Sequence, residues 1–247
     1  GDIIRSEEGR RYVVPSAPGK RFSGDTKVTD LLYACYDRAA QGKEFGGIFQ
    51  EIKERYYEII RGLDLKLSLE EDVCSDRSRF QSAGRHRLRS SRGEFLNGKI
   101  MAAYLGYEFV DAASVIRFDK NGNFDGEKTD RLLGKRLSKC ERAVIPGFYG
   151  AKEDGTVQTF SRGGSDVTGS LVARAVHADI YENWTDVSGF LVTDPRIVEN
   201  PAVIETITYR ELRELSYMGA TVLHEEAIFP VRKEGIPINI RNTNRPQ

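Results

Sequence analysis

Arg162-Gly163-Gly164-Ser165-Asp166 gathers what is needed to hold an anionic ligand. The two glycines remove both Cβ atoms and let a bound group approach the backbone. The stretch stands between a strand-like run, Arg142–Phe148, and a helical pattern, Ser170–Val176. A helix that opens here offers unpaired N–H groups and a partial positive charge, which suits a phosphate. The Arg162 guanidinium can grip a carboxylate or phosphate with two bonds. Asp166 falls in the first helical turn and faces the same space. The plainer reading is a Gly-rich turn with Ser165 or Asp166 as N-cap. No Gly-Lys-Ser/Thr follows and the G-x-G-x-x-G spacing is absent, so this is neither a P-loop nor a dinucleotide fingerprint.

Three further stretches add chemistry: Trp184-Thr185-Asp186 through Asp194-Pro195-Arg196, Ser91-Arg92-Gly93-Glu94, and Met218-Gly219-Ala220-Thr221-Val222-Leu223-His224. With the Phe160–Asp166 run, and in this order, they resemble the aspartate kinases of the amino acid kinase family. The resemblance spans most of the chain, with a departure near 72–90. It implies that Glu94 binds the α-amino group of aspartate, with Thr29 and Ser165 also near the amino-acid substrate. Arg162 is assigned the α-carboxylate, because a bidentate fork fixes both position and orientation. Asp166 would order the catalytic centre. Ser16, Gly163, Gly164, Thr185, Asp186, Leu191, Arg196, Thr221 and Val222 are implied to line the nucleotide. Leu191 stands where relatives often carry a tyrosine, and Thr221 where they often carry a lysine. The family's first strand, with its Lys-Phe-Gly-Gly loop, is expected before Gly1, and regulatory ACT domains beyond Gln247.

The implied reaction is transfer of the ATP γ-phosphoryl group to the side-chain carboxylate of L-aspartate, giving 4-phospho-L-aspartate. In the family it opens lysine, threonine and methionine biosynthesis. Phosphoryl transfer needs positioning and charge neutralisation above all. The attacking carboxylate is already ionised at neutral pH, so no general base is assigned. Mg2+ would be held mainly by the nucleotide and water, with no dedicated protein metal site.

Composition narrows the field. Lys plus Arg number 37 and Asp plus Glu 37 in 247 residues, so net charge points to neither nucleic acid nor an anionic membrane. Cys35, Cys74 and Cys140 are scattered without a C-x-x-C, which suits a reducing compartment. No signal peptide or membrane-length apolar run is visible, and a cytoplasmic protein is expected. The three histidines, His86, His177 and His224, show no zinc-ligand spacing.

The elements that must position these residues follow from periodicity. Gly1–Gly9 reads as a helix end stopped by Gly9, and Tyr12–Val14 as a buried strand. Helical patterns cover Thr26–Ala40, Gly47–Gly62, Ser91–Leu105 (stopped by Gly106), Lys128–Lys139, Tyr209–Met218 and Glu225–Lys233. Tyr107–Ala112, Ser114–Phe118 and Ile236–Ile240 read as strands. Arg77, Arg79, Arg85, Arg87, Arg89 and Arg92 read as a solvated or disordered face rather than a nucleic-acid patch. Alternating strands and helices predict a mostly parallel sheet. The resemblance sharpens this to a three-layer αβα sandwich, with the catalytic domain at 1–240 and a linker from 241. Competing readings are a kinase for glutamate or acetylglutamate, a kinase-like ligand binder without turnover, and an RNA-binding module on Arg77–Arg92. A homo-oligomer is left open.

Overall fold

The computed structural model describes residues 1–81, 91–161, 163–187, 189–193, 197–217, 223 and 225–246, and every structural statement concerns these. Helices α1 to α10 span Asp2–Arg5, Val28–Ala40, Gly46–Gly62, Glu70–Gln81, Arg92–Leu105, Ala112–Val115, Gly126–Leu137, Gly164–Ala175, Tyr209–Tyr217 and Glu225–Lys233. Strands β1 to β9 span Tyr12–Val13, Glu108–Phe109, Ala143–Val144, Tyr149–Ala151, Val157–Thr159, Tyr181–Thr185, Phe190–Leu191, Val203–Ile204 and Ile238–Asn242.

Strands β1, β3 and β2 form a parallel sheet in that order, with Tyr12 and Glu108 both in register with Ala143. Strands β6 and β9 form a second parallel pair over five residues. The antiparallel pairs, β4–β5 and β7–β8, are hairpins. Buried β3 reads Ala-Val and continues into buried Ile145, the apolar run of a strand covered on both faces. One covering layer is α2 to α5, whose apolar stripes meet as Val28, Leu32, Tyr56, Val73, Leu96 and Ile100. The other is α7 and α8, which pack Leu133, Leu137, Val167 and Leu171 against Ala143 and Ile145. Phe95 reaches both clusters. This is a mixed α/β sandwich, with the parallel sheet that the alternation predicts and the layers that the resemblance implies. Among the described residues no helix is long and apolar enough to cross a membrane.

Several expectations shift. The first helix stops at Arg5, well short of Gly9, where Ser6 turns its hydroxyl back onto the Ile3 carbonyl. Ser114–Phe118 is not a strand. Asp111 caps a helical turn by accepting the Ala113 N–H at 3.0 Å, and only Arg117 and Phe118 bridge to other segments. Local capping outweighs the β preference of Val115 and Ile116. Residues 70–81 form a helix, with Val73 buried and Asp76 paired inward, which leaves the solvated alternative and not the disordered one for this part of the stretch. Arg92 leaves the basic patch for the same ion pair, while 82–90 lie outside the described residues. The last strand runs two residues past 240, and Thr243 still bonds to β6.

Candidate active site

Four backbone segments meet where β1 and β3 end. Gly147 donates its N–H to the Pro15 carbonyl at 3.2 Å, joining the two strand exits. A Cβ on Gly147 would stand 2.7 Å from the Ser165 Cα, so α8 begins directly against this turn. A Cβ on Gly93 would stand 2.8 Å from the Ala17 Cβ, which brings the start of α5 against the loop after β1. Ligands of open α/β sheets collect beyond the carboxyl ends of the strands, and these ends face that space.

The backbone is strained here. Phe148 has φ 81°, costly for a bulky residue. It is held by its N–H to the Thr168 Oγ1 at 3.2 Å and its carbonyl to the Phe160 N–H at 2.9 Å. Gly163 is the N-cap of α8 with φ 55°, so neither Ser165 nor Asp166 is the cap. Ser165 and Asp166 are instead the second and third helical residues. The first N–H groups of a twelve-residue helix thus face the strand exits. Gly147→Ala is expected to push α8 off its turn, lower the melting temperature and weaken every ligand of this cleft. Overpacking of this kind costs about 1–3 kcal/mol. Thermal denaturation with and without ligand measures both effects.

Glu94 lies in the first turn of α5 and is 5% exposed. It accepts the Ala17 backbone N–H and its own N–H, yet its Oε2 has no hydrogen-bond partner. Burial pushes its carboxyl up to about 7, and the N–H donors offset only part of that. Tyr56 below it donates to the Gly93 carbonyl at 2.8 Å, and burial holds its hydroxyl neutral. Arg92 does not neutralise Glu94: its guanidinium turns to Asp76 at 2.7 Å and Asp72 at 3.7 Å.

Asp166 is fixed from β6. Asn183, 8% exposed, donates its Nδ2 to Asp166 Oδ1 at 2.9 Å. The Tyr181 hydroxyl donates to the Asp166 carbonyl at 3.2 Å. Two residues beyond Asn183, Thr185 ends β6 and accepts the Thr243 N–H at 2.8 Å, while Asp186 accepts the Asn242 side chain at 3.3 Å. Strand β6 therefore links Asp166 to the Thr185-Asp186 corner.

The loop that carries Ser16, whose carbonyl accepts from Asn97 at 2.6 Å, meets Glu94 through the Ala17 N–H, and the Gly147 turn bonded to Pro15 meets Ser165 at the start of α8. Thr29 is the second residue of α2, and Leu32 further along α2 lies against Gly93. That loop is clamped by Asp25, which takes Arg55 at 2.7 Å and Arg21 at 3.1 Å. Leu191 lies on the β7–β8 hairpin, paired with Val203 and 36% exposed. Arg162, Arg196, Thr221 and Val222 lie outside the described residues. The sequence reading missed Asn183, whose only signal is an amide between Glu182 and Trp184 in a strand that ends at Thr185-Asp186. It also missed Asp76, whose partner lies across the fold.

The amino acid kinase family model matches residues 5–242. The chain belongs to the amino acid kinase family. Within that family it is 39% identical to aspartokinase 3 of Bacillus subtilis over 99% of its own length and 57% of the relative's. It is 30% identical to the bifunctional aspartokinase/homoserine dehydrogenase of Haemophilus influenzae, over 91% of the chain and 31% of that protein. Among solved structures, the aspartate kinase of Clostridium acetobutylicum superposes with a TM-score of 0.93 at 54% identity, covering 99% of this chain and 56% of that one. Aspartokinase III of E. coli, solved with aspartate and ADP, superposes at 0.82 with 26% identity, over 100% of this chain and 58% of that one. The chain thus spans little more than half the length of these last relatives.

Proposed function

We propose that this chain is the catalytic part of an aspartate kinase, transferring the γ-phosphoryl group of ATP to the side-chain carboxylate of L-aspartate. The observation that carries the reading is the unpaired, buried Oε2 of Glu94, at the start of the helix that packs on the loop after β1, the loop that also meets the turn where α8 begins. A buried carboxylate without a counter-charge is costly unless a ligand supplies one. An α-ammonium supplies it, and the N–H groups of α8 supply the complementary site for a transferring phosphoryl group. The names of the relatives agree: aspartokinases, one of them bound to aspartate and ADP.

The assigned roles follow. Glu94 binds the ammonium, Arg162 the α-carboxylate, and Thr29 and Ser165 complete the amino-acid pocket. Gly163 and Gly164 let the phosphates approach the backbone. Ser16, Thr185, Asp186, Leu191, Arg196, Thr221 and Val222 border the nucleotide. Asp166, oriented by Asn183, faces the transferring group. Among the described residues no three His, Cys, Asp or Glu gather as a metal cage. A magnesium ion needs only one or two carboxylates beside substrate phosphates, and Asp166 could be one of them. Bound there, it would neutralise phosphate charge. The reading keeps the catalytic domain at 1–240, the linker from 241, and the reaction in the cytoplasm.

The test is turnover by the full-length protein that carries this chain. Trapping the acyl phosphate with hydroxylamine should give product with aspartate and Mg-ATP. Product with glutamate or acetylglutamate instead would move the protein to another branch of the family. Melting-temperature shifts with both ligands but no product would leave a binder without turnover.

A further inference from the structure

Arg92 is a buried cation, 6% exposed, two residues before the unpaired anion Glu94, yet the two do not meet. Residues two apart point to different sides of a helix. Helix α4 supplies the partner that Arg92 takes instead. Its Asp76, 3% exposed, receives Nε at 2.7 Å, and Asp72 lies 3.7 Å from Nη2. Asp72 is shared with Lys99 at 2.6 Å, so Asp76 is the main counter-charge. The Arg92 guanidinium also lies 3.7 Å over the Phe95 ring, which fixes its plane. Arg92 and Glu94 nonetheless border the same tyrosines: both charges act on the hydroxyls of Tyr56 and Tyr149.

We infer that Asp76 is a positioning residue of the substrate site: it holds the Arg92 guanidinium on α4, so that Glu94 stays without an internal counter-charge and is open to the substrate's ammonium. The substrate clause rests on the aspartate kinase reading, whereas the claim about Arg92 and Glu94 does not. Without Asp76, the buried guanidinium keeps only the shared Asp72, and Glu94 becomes the anion it can recruit. Specificity for an amino acid over a plain dicarboxylate would then depend on a residue that touches neither ligand.

The experiment uses the full-length protein as wild type, as Asp76→Asn, and as a double variant with Asp76→Leu and Arg92→Met. The double variant removes both charges and keeps an apolar fill, a replacement buried pairs tolerate. The substrate-free readout is the titration of Glu94 by carboxyl NMR of protein labelled with 13C-glutamate. The titratable groups that Glu94 acts on are Tyr56 from α3 and Tyr149 from β4, the latter bonded to Asp111; Arg92, Asp76 from α4 and Arg55 from α3 act on the same Tyr56 hydroxyl. Burial keeps both tyrosines neutral in this range. Asp76→Asn should lower the Glu94 midpoint, because a recruited cation favours the carboxylate, and the double variant should restore it. In kinetics, Asp76→Asn should raise the KM for aspartate about tenfold, the scale of one charge-assisted bond, with the KM for Mg-ATP unchanged. The double variant should return near wild type. A Glu94 midpoint unmoved by Asp76→Asn overturns the inference, as does a double variant that keeps the aspartate defect. A wild-type midpoint that aspartate does not move would overturn the substrate reading and leave the Arg92 inference standing.

Discussion

Glu94→Gln should raise the KM for aspartate about a hundredfold, the equivalent of roughly 3 kcal/mol for a buried charge pair that loses one partner. The KM for Mg-ATP should stay close to wild type, because the proposed role of Glu94 is to face the ammonium alone. The pH dependence makes the prediction specific. The Glu94 carboxyl sits at about 7 instead of its ordinary 4.5, mainly through burial. If its ionised form holds the ammonium, kcat/KM for aspartate should rise with pH up to about 7 and then level off. Glu94→Gln should abolish that acid limb. Equal loss for both substrates, or an acid limb that survives the substitution, would remove Glu94 from the ammonium site.

Stability carries the same signature with the opposite sign. Between pH 4.5 and about 7 the folded protein binds the Glu94 proton more tightly than the unfolded chain does. The contribution is therefore complete below the unfolded value and is lost as pH rises through the folded value. At about 1.4 kcal/mol per pH unit, the ligand-free protein should lose about 3 kcal/mol between pH 4.5 and pH 8 from this group. Aspartate should oppose the loss by supplying the missing counter-charge. Denaturant unfolding of wild type and Glu94→Gln across this range isolates the term.

Asn183→Ala has the second large expected effect, and it falls on kcat. Its Nδ2 donates to the Asp166 carboxylate at 2.9 Å and to the Tyr181 hydroxyl at 3.2 Å, so one side chain aims two groups. A hydrogen bond to a charged group is worth about 1.5–3 kcal/mol, or roughly 10- to 100-fold. If Asp166 orders the transferring phosphoryl group, that loss should fall on kcat, with the KM for aspartate little changed. Asn183→Asp should be worse still, because it sets two carboxylates against each other. A fall confined to KM would assign Asp166 to ground-state binding instead.

Glu94 was singled out through the family resemblance that Ser91-Arg92-Gly93-Glu94 carries, and the helix it opens is written in its apolar spacing and in Gly106. Gly163-Gly164 was legible in its own local pattern. A helix with glycines at its start and Asp166 in its first turn needs no distant partner to form. The capping detail was not legible. Gly163 takes the cap in a left-handed conformation, and the next turn packs Ser165 directly on Gly147, a contact between segments eighteen residues apart.

The sequence by itself determined the alternation of helices and strands, the membership of most elements, and the residue types at the candidate site. These are local properties, set by periodicity, turn chemistry and neighbours within a few positions. Only the tertiary structure decided the electrostatics. Whether Glu94 is paired depends on where Arg92 points, and that depends on Asp76, sixteen residues away on another helix. Whether Asp166 is held depends on Asn183 across a strand. Charge states in a buried site follow from through-space distance and desolvation, and a linear order of residues encodes neither.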